Sequence, residues 1–146
     1  MHAKKILFPT DFSTLSDAAL RHATSLAKDS GAKLIILHVE EPPAAYGTGE
    51  MYYGIPEPDM TALTKMLEAV VPNDPGVPFE HRMVTGDPAG EIVAVAQSEK
   101  VDLIVLGTHG RTGLGRLLMG SVAEAVVRRA SCPVLTFKVS KAKDAS

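Results

Sequence analysis

Val101-Asp102-Leu103-Ile104-Val105-Leu106 runs directly into Gly107-Thr108-His109-Gly110-Arg111-Thr112-Gly113-Leu114-Gly115, and the glycines end at Gly120-Ser121. An apolar run this short, broken by glycine, reads as a buried strand and the turn after it. Asp102 interrupts the run at its start. From Val122 to Ala130 the spacing becomes helical, and Pro133 to Val139 reads as another strand. A strand, a Gly-rich turn, a helix and a second strand make one unit of a parallel sheet.

The same alternation extends back to the beginning of the chain. Ile6-Leu7-Phe8 is a first buried strand, stopped by Pro9. From about Thr14 to Ser30, apolar residues recur at three- and four-residue steps (Leu15, Ala18, Ala19, Ala23, Leu26), the mark of a helix with one buried face. Ser13 or Thr14 can cap its start, and Gly31 stands where a helix ends. Leu34 to Val39 is a second strand. Glu40 to Pro58, with four prolines and three glycines, reads as a long loop of a length often functional or disordered. Asp59 to Val71 is expected to be helical behind an Asp59 cap. Phe79 to Val84 is a weakly alternating third strand near a sheet edge. Asp87 caps a helix that has Pro88 at its favoured first position and runs to about Lys100. The tail from Ser140 to Ser146 is polar and expected to fray. Apolar strands separated by helices pair in parallel with both faces covered, and right-handed crossovers favour a doubly wound α/β sandwich.

The chain has 146 residues, and no internal repeat or second domain is readable, so one domain over the whole length is expected. Apolar residues make up 45% and charged residues 22%, the composition of an ordinary globular domain. A net charge of -2 without a basic run argues against a nucleic-acid partner. Cys132, the only cysteine, allows neither an intramolecular disulfide nor a multi-cysteine metal site, and reads as a packed thiol. No secretory leader and no membrane span is readable, so a cytoplasmic location is expected by elimination.

In doubly wound sheets, ligands sit beyond the carboxyl ends of the strands, where the strand order reverses. Two segments qualify: Pro9-Thr10-Asp11 after the first strand, and Gly107 to Gly115 after the fourth. Glycine lets backbone N–H groups crowd an anion without Cβ obstruction. Gly120-Ser121 then opens a helix whose free N–H groups and dipole favour phosphate. Ser121 adds a hydroxyl and can also cap that helix. The bland reading is a flexible loop ending at a cap.

Two familiar phosphate motifs are excluded. Gly110 and Gly115 have P-loop spacing, but Arg116-Leu117 stand where Lys-Ser/Thr is required. Gly113-Leu114-Gly115 begins like GxGxxG, but Leu118 takes the third glycine's place.

The spacing that is present, Gly107-x2-Gly110-x9-Gly120-Ser121, resembles the motif of the ATP-binding branch of the universal stress protein family. The resemblance covers nearly the whole chain. It includes Ile6 to Ser13, Leu37-His38-Val39, Gly86-Asp87-Pro88, Asp102 to Gly110, and Cys132-Pro133-Val134-Leu135. It implies a five-stranded parallel sheet of order 3-2-1-4-5, with the reversal between strands one and four. It further implies that Asp11 lies beside adenine and ribose and that the main chain of Val39 reads the adenine edge. Gly107 and Gly110 would approach the ribose and phosphates. Gly120, Ser121 and Val122 would hold the phosphates of ATP, usually with magnesium or manganese. Family members commonly pair through strand five, and here Val134, Leu135, Thr136, Phe137 and Val139 form an apolar edge guarded only by Lys138.

Alternative readings stay open at several residues. Asp11 also suits a helix cap or a bond to a loop amide. His38 reads as a packed core residue and His109 as a loop residue. Arg111 and Arg116 either neutralise phosphate or are simply solvated. No His/Asp/Glu cluster has metal-ligand spacing. A nucleotide-binding regulatory module is favoured over a slow ATPase or phosphotransferase, because no base or water-orienting group is evident. A non-binding dimeric scaffold would leave the glycines without a use.

Overall fold

The computed structural model describes residues 3–42, 59–107 and 120–138. Among these, five strands and four helices alternate: β1 (Lys5–Pro9), α1 (Thr14–Ser30), β2 (Lys33–Glu40), α2 (Met60–Glu68), β3 (Phe79–Thr85), α3 (Pro88–Glu99), β4 (Leu103–Gly107), α4 (Ser121–Arg129) and β5 (Val134–Phe137). The strands form one parallel sheet of order β3-β2-β1-β4-β5. The expected fold class and strand order are therefore both present, and β3 lies at a sheet edge as its weak alternation suggests.

The period-two alternation of the strands splits the core in two. Ile6, Phe8, Leu34, Ile36, Leu103 and Val105 face α1 and Leu67 of α2. Leu7, Ile35, Leu37, Ile104 and Leu106 face α3 and α4. The helix α1 meets the sheet through Ala19, Ala23 and Ala27, whose small side chains permit close approach.

Most helix ends are set by their caps. Ser13 caps α1 by accepting from the Ser16 amide, and Gly31 closes it in the left-handed conformation at φ 71°. Asp59 and Asp87 cap α2 and α3 in the same way as Ser13. Several boundaries differ from the sequence reading by a residue or more, β5 (Val134–Phe137) being shorter than the expected Pro133 to Val139, and two differences have a visible cause. The helix α2 stops at Glu68 rather than Val71, because the Val70 amide bonds the Leu67 carbonyl three residues back in a tighter turn. The strand β4 starts at Leu103 rather than Val101, whose amide still closes α3 on the Ala96 carbonyl; Asp102, just ahead of the strand, bonds β1. Its carboxylate accepts from the backbone amides of Lys4 (2.8 Å) and Lys5 (3.1 Å). Those two bonds hold its carboxyl below the usual aspartate range.

No helix among the described residues is long and apolar enough to cross a membrane. Residues 43–58 of the expected loop and the expected tail from 139 lie outside the described residues.

Candidate functional site

The helix after β1 packs on one face of the sheet and the helix after β4 on the other. The carboxyl ends of β1 and β4 are therefore the switch point, where the following chain segments part. The pairing of these two strands is correspondingly short. The β1–β2 ladder runs from Lys5–Lys33 to Pro9–Leu37. The β1–β4 ladder holds only Ile6–Leu103 and Leu7–Ile104.

Pro9 supplies the reason. In a parallel sheet, alternate residues direct their N–H and C=O to opposite neighbours. Thr10 donates to the Leu37 carbonyl of β2, while the Lys5 carbonyl accepts from Asp102 at the start of β4. Lys5, Leu7 and Pro9 therefore face β4. Pro9 has no N–H to give, so the ladder loses a donor on the side that faces β4.

The turn after β1 is held tightly. Thr10 is buried, with 6% exposure. Its hydroxyl accepts from the Phe12 amide at 3.1 Å. Phe12 is left-handed, at φ 66°, a conformation that costs a non-glycine residue about 1 kcal/mol or more. Asp11 Oδ1 accepts from the Ser13 amide (2.9 Å) and the Ser16 hydroxyl (2.8 Å). The bland role foreseen for Asp11, bonding a nearby loop amide, is thus filled by one of its oxygens.

His38 lies against this turn. Its Nδ1 is 2.9 Å from the Thr10 carbonyl, its Nε2 is 3.0 Å from Glu40 Oε1, and its ring stacks on Phe12 at 4.3 Å. Val39 turns the other way and packs, with Val84, against the α3–α4 cluster.

On the far side of the switch point, Gly107 is the last residue of β4, paired with Phe137. The helix α4 starts behind Gly120, which makes no side-chain cap bond. Ser121 is the first helical residue and not the cap, which corrects the capping role considered for it. Gly120 has φ -63° and ψ 159°, an extended conformation open to any residue. Glycine is therefore not required there by backbone strain; what the position provides is the absence of a side chain.

A family model described as the universal stress protein family matches residues 2–138. The chain belongs to the universal stress protein family. Its relatives include universal stress protein MJ0531 of Methanocaldococcus jannaschii, 40% identical over 144 residues, with 94% of this chain and 84% of the relative covered. The solved structure of MJ0577, from the same organism, superposes with a TM-score of 0.75 at 32% identity, covering 97% of this chain and 99% of that one. A universal stress protein solved in complex with cAMP superposes with a TM-score of 0.63 at 29% identity, covering 94% and 98%.

In this universal stress protein, Pro9, Thr10, Asp11, Val39 and Gly107 gather at the carboxyl ends of the three central strands. Gly120, Ser121 and Val122 form the start of α4. Gly110 and Arg111 lie outside the described residues. No group of three or more His, Cys, Asp or Glu side chains among the described residues could hold a metal ion. Sequence reasoning placed His38 in the core and assigned Glu40 nothing. The available signal was their i, i+2 spacing at a strand end, which puts both side chains on one face.

Proposed function

We propose that this universal stress protein binds an adenine nucleotide, ATP, at the switch point between β1 and β4, and acts as a nucleotide-dependent regulatory module. The observation that carries this is the start of α4. A helix without a side-chain cap, reached through Gly107-x2-Gly110-x9-Gly120-Ser121, offers its first-turn amides to an anion. Ser121, Val122 and the glycines would hold the phosphates, with Arg111 adding charge. Pro9, Thr10 and Asp11 would line the ribose side, and the Val39 main chain would read adenine. The relative solved with cAMP supports an adenine nucleotide as the ligand class. Magnesium or manganese would then ride on the phosphate oxygens.

A regulatory role fits better than catalysis, since hydrolysis needs a base or water-orienting group at the γ-phosphate. Asp11 would stand at the other end of the nucleotide. The cytoplasm, where ATP is abundant, suits such a module.

Calorimetry with ATP and magnesium tests the reading. Micromolar affinity, roughly -7 to -8 kcal/mol, is expected. No heat and no thermal stabilisation at millimolar ATP would refute it. Mass spectrometry of nucleotide released from the purified protein distinguishes ATP from AMP and cyclic AMP.

A homodimer through β5 is part of the same proposal. β5 is a sheet edge, and Leu135 on it is 36% exposed. The Pro133 carbonyl accepts from Ile104, so residues 133, 135 and 137 face β4 while Val134 and Thr136 direct their amides outward. Thr136→Pro should therefore split the dimer, and Leu135→Pro should damage the sheet within one chain. Light scattering on a sizing column reads the difference.

A further inference from the structure

We propose that His38 is a positioning residue: from β2 it holds the Thr10–Phe12 turn in the shape the nucleotide site uses. Three observations converge on this one side chain. The Thr10 carbonyl can only accept, so the 2.9 Å contact places a hydrogen on His38 Nδ1, which donates it. On the opposite edge of the ring, Nε2 lies 3.0 Å from Glu40 Oε1 and donates to it when that nitrogen is protonated as well. The ring face lies on Phe12, with centroids 4.3 Å apart and planes inclined by 31°.

The turn needs that support. Phe12 holds a left-handed backbone that its side chain does not favour. Its amide bonds the Thr10 hydroxyl, so Thr10 and Phe12 move together. With the Thr10 amide bonded to Leu37 and its carbonyl to His38, all the polar groups of this buried residue are engaged. An apolar residue at position 38 would fill the space and leave the Thr10 carbonyl unpaired. Asp11 lies between the two residues that His38 holds, so its placement follows from theirs. Glu40 completes a relay from the end of β2 through the imidazole to the end of β1.

The geometry stands without a ligand, and its consequence for binding rests on the nucleotide reading above. The experiment therefore has one readout that needs no nucleotide. Full-length wild type, His38→Phe and His38→Asn are compared by amide hydrogen exchange without nucleotide, and by calorimetry with ATP and magnesium. In His38→Phe, exchange at Phe12 and Ser13 should accelerate about tenfold relative to Ile36 and Ile104, and ATP affinity should fall about tenfold, the scale of one lost hydrogen bond. His38→Asn, whose amide N–H can reach the same carbonyl, should recover most of both. Nitrogen chemical shifts of the wild-type ring should show Nδ1 protonated, a result independent of how the variants fold.

An unprotonated Nδ1 overturns the proposal. So does unchanged exchange at Phe12 and Ser13 in His38→Phe, or a loss spread evenly over the sheet that asparagine does not rescue. If exchange responds but the wild type binds no ATP, the nucleotide reading fails and the positioning role stands. If ATP binds normally to every variant, His38 has no part in the site.

Discussion

Two helices leave the switch point, and their first turns are built in opposite ways. The turn before α1 closes on itself. Ser13 Oγ accepts from the Ser16 amide at 3.2 Å, and Asp11 ties down both Ser13 and Ser16. The helix α4 starts behind Gly120, which has no side chain to cap anything. The backbones are equally contrasted. Left-handed φ falls to Phe12, a residue poorly suited to it, while glycine occupies position 120, where φ -63° suits any residue. The left-handed Phe12 breaks a local rule, and such violations concentrate where a structure serves function rather than stability. The first start bonds its amides with its own side chains. In the reading proposed above, the second offers its amides to an outside anion.

The contrast is broken most directly by giving α4 the cap that α1 has. Gly120→Asp should let a carboxylate take the first-turn amides. Stability should rise by a few tenths to about 1 kcal/mol, and ATP affinity should fall about a hundredfold or more, from lost donors and charge repulsion. Thermal melts and calorimetry on the same sample check this. Unchanged affinity would remove α4 from the site.

A crossed pair sharpens it further. Ser13→Ala should cost about 1 kcal/mol of stability, a few degrees in Tm for a chain of this size, with affinity within about twofold of wild type. Ser121→Ala should do the reverse: near-normal stability, because Ser121 is not the cap, and an affinity loss of about 1 kcal/mol. Equal effects from both would erase the distinction between the two starts.

Pro9→Ala probes the gap between the two starts. It supplies an N–H toward β4, and hydrogen exchange should find the new amide protected if the ladder lengthens. Narrowing the crevice should weaken ATP several-fold, on the scale of a fraction of one hydrogen bond to a whole one. An unprotected amide would mean that proline is not what ends the ladder.

The smallest effect serves as a control at the opposite end of the sheet. Asp102 is held below the usual carboxylate range by the Lys4 and Lys5 amides, and Glu80 by Lys33. Both carboxylates lie remote from either helix start, near the amino ends of the strands. A lowered folded-state value means the unfolded chain takes up protons first as pH falls. The stability these groups add is complete above their ordinary range near pH 4, and it drains away as pH drops through their folded values. Denaturant midpoints should therefore be flat from about pH 6 to 7 and decline below about pH 4. Asp102→Ala should flatten the decline slightly and leave ATP affinity at neutral pH unchanged.

Much of this architecture was legible in residue order. The apolar runs at Ile6 to Phe8, Leu34 to Val39 and Leu103 to Leu106 announced the central strands, and Ser13, Gly31, Asp59 and Asp87 announced helix ends. Each is a short-range signal. A side chain bonds an amide two or three residues away, or a period of two or near four points apolar groups one way. Long-range partners were not legible: the Asp102 carboxylate bonds the amides of residues 97 and 98 positions away. His38 was read as a core residue and is buried, but its bond to Thr10, 28 residues back, was not legible.

What the sequence determined by itself is the set of elements and the glycine spacing before α4, because both arise within one turn or one strand of chain. Tertiary structure alone decided which neighbour each alternating amide of β1 would face. Only with β2 on one side and β4 on the other does the proline at position 9 fall on the β4 side. Strand order is a long-range property, and it turns the missing N–H of Pro9 into the place where β1 and β4 stop pairing.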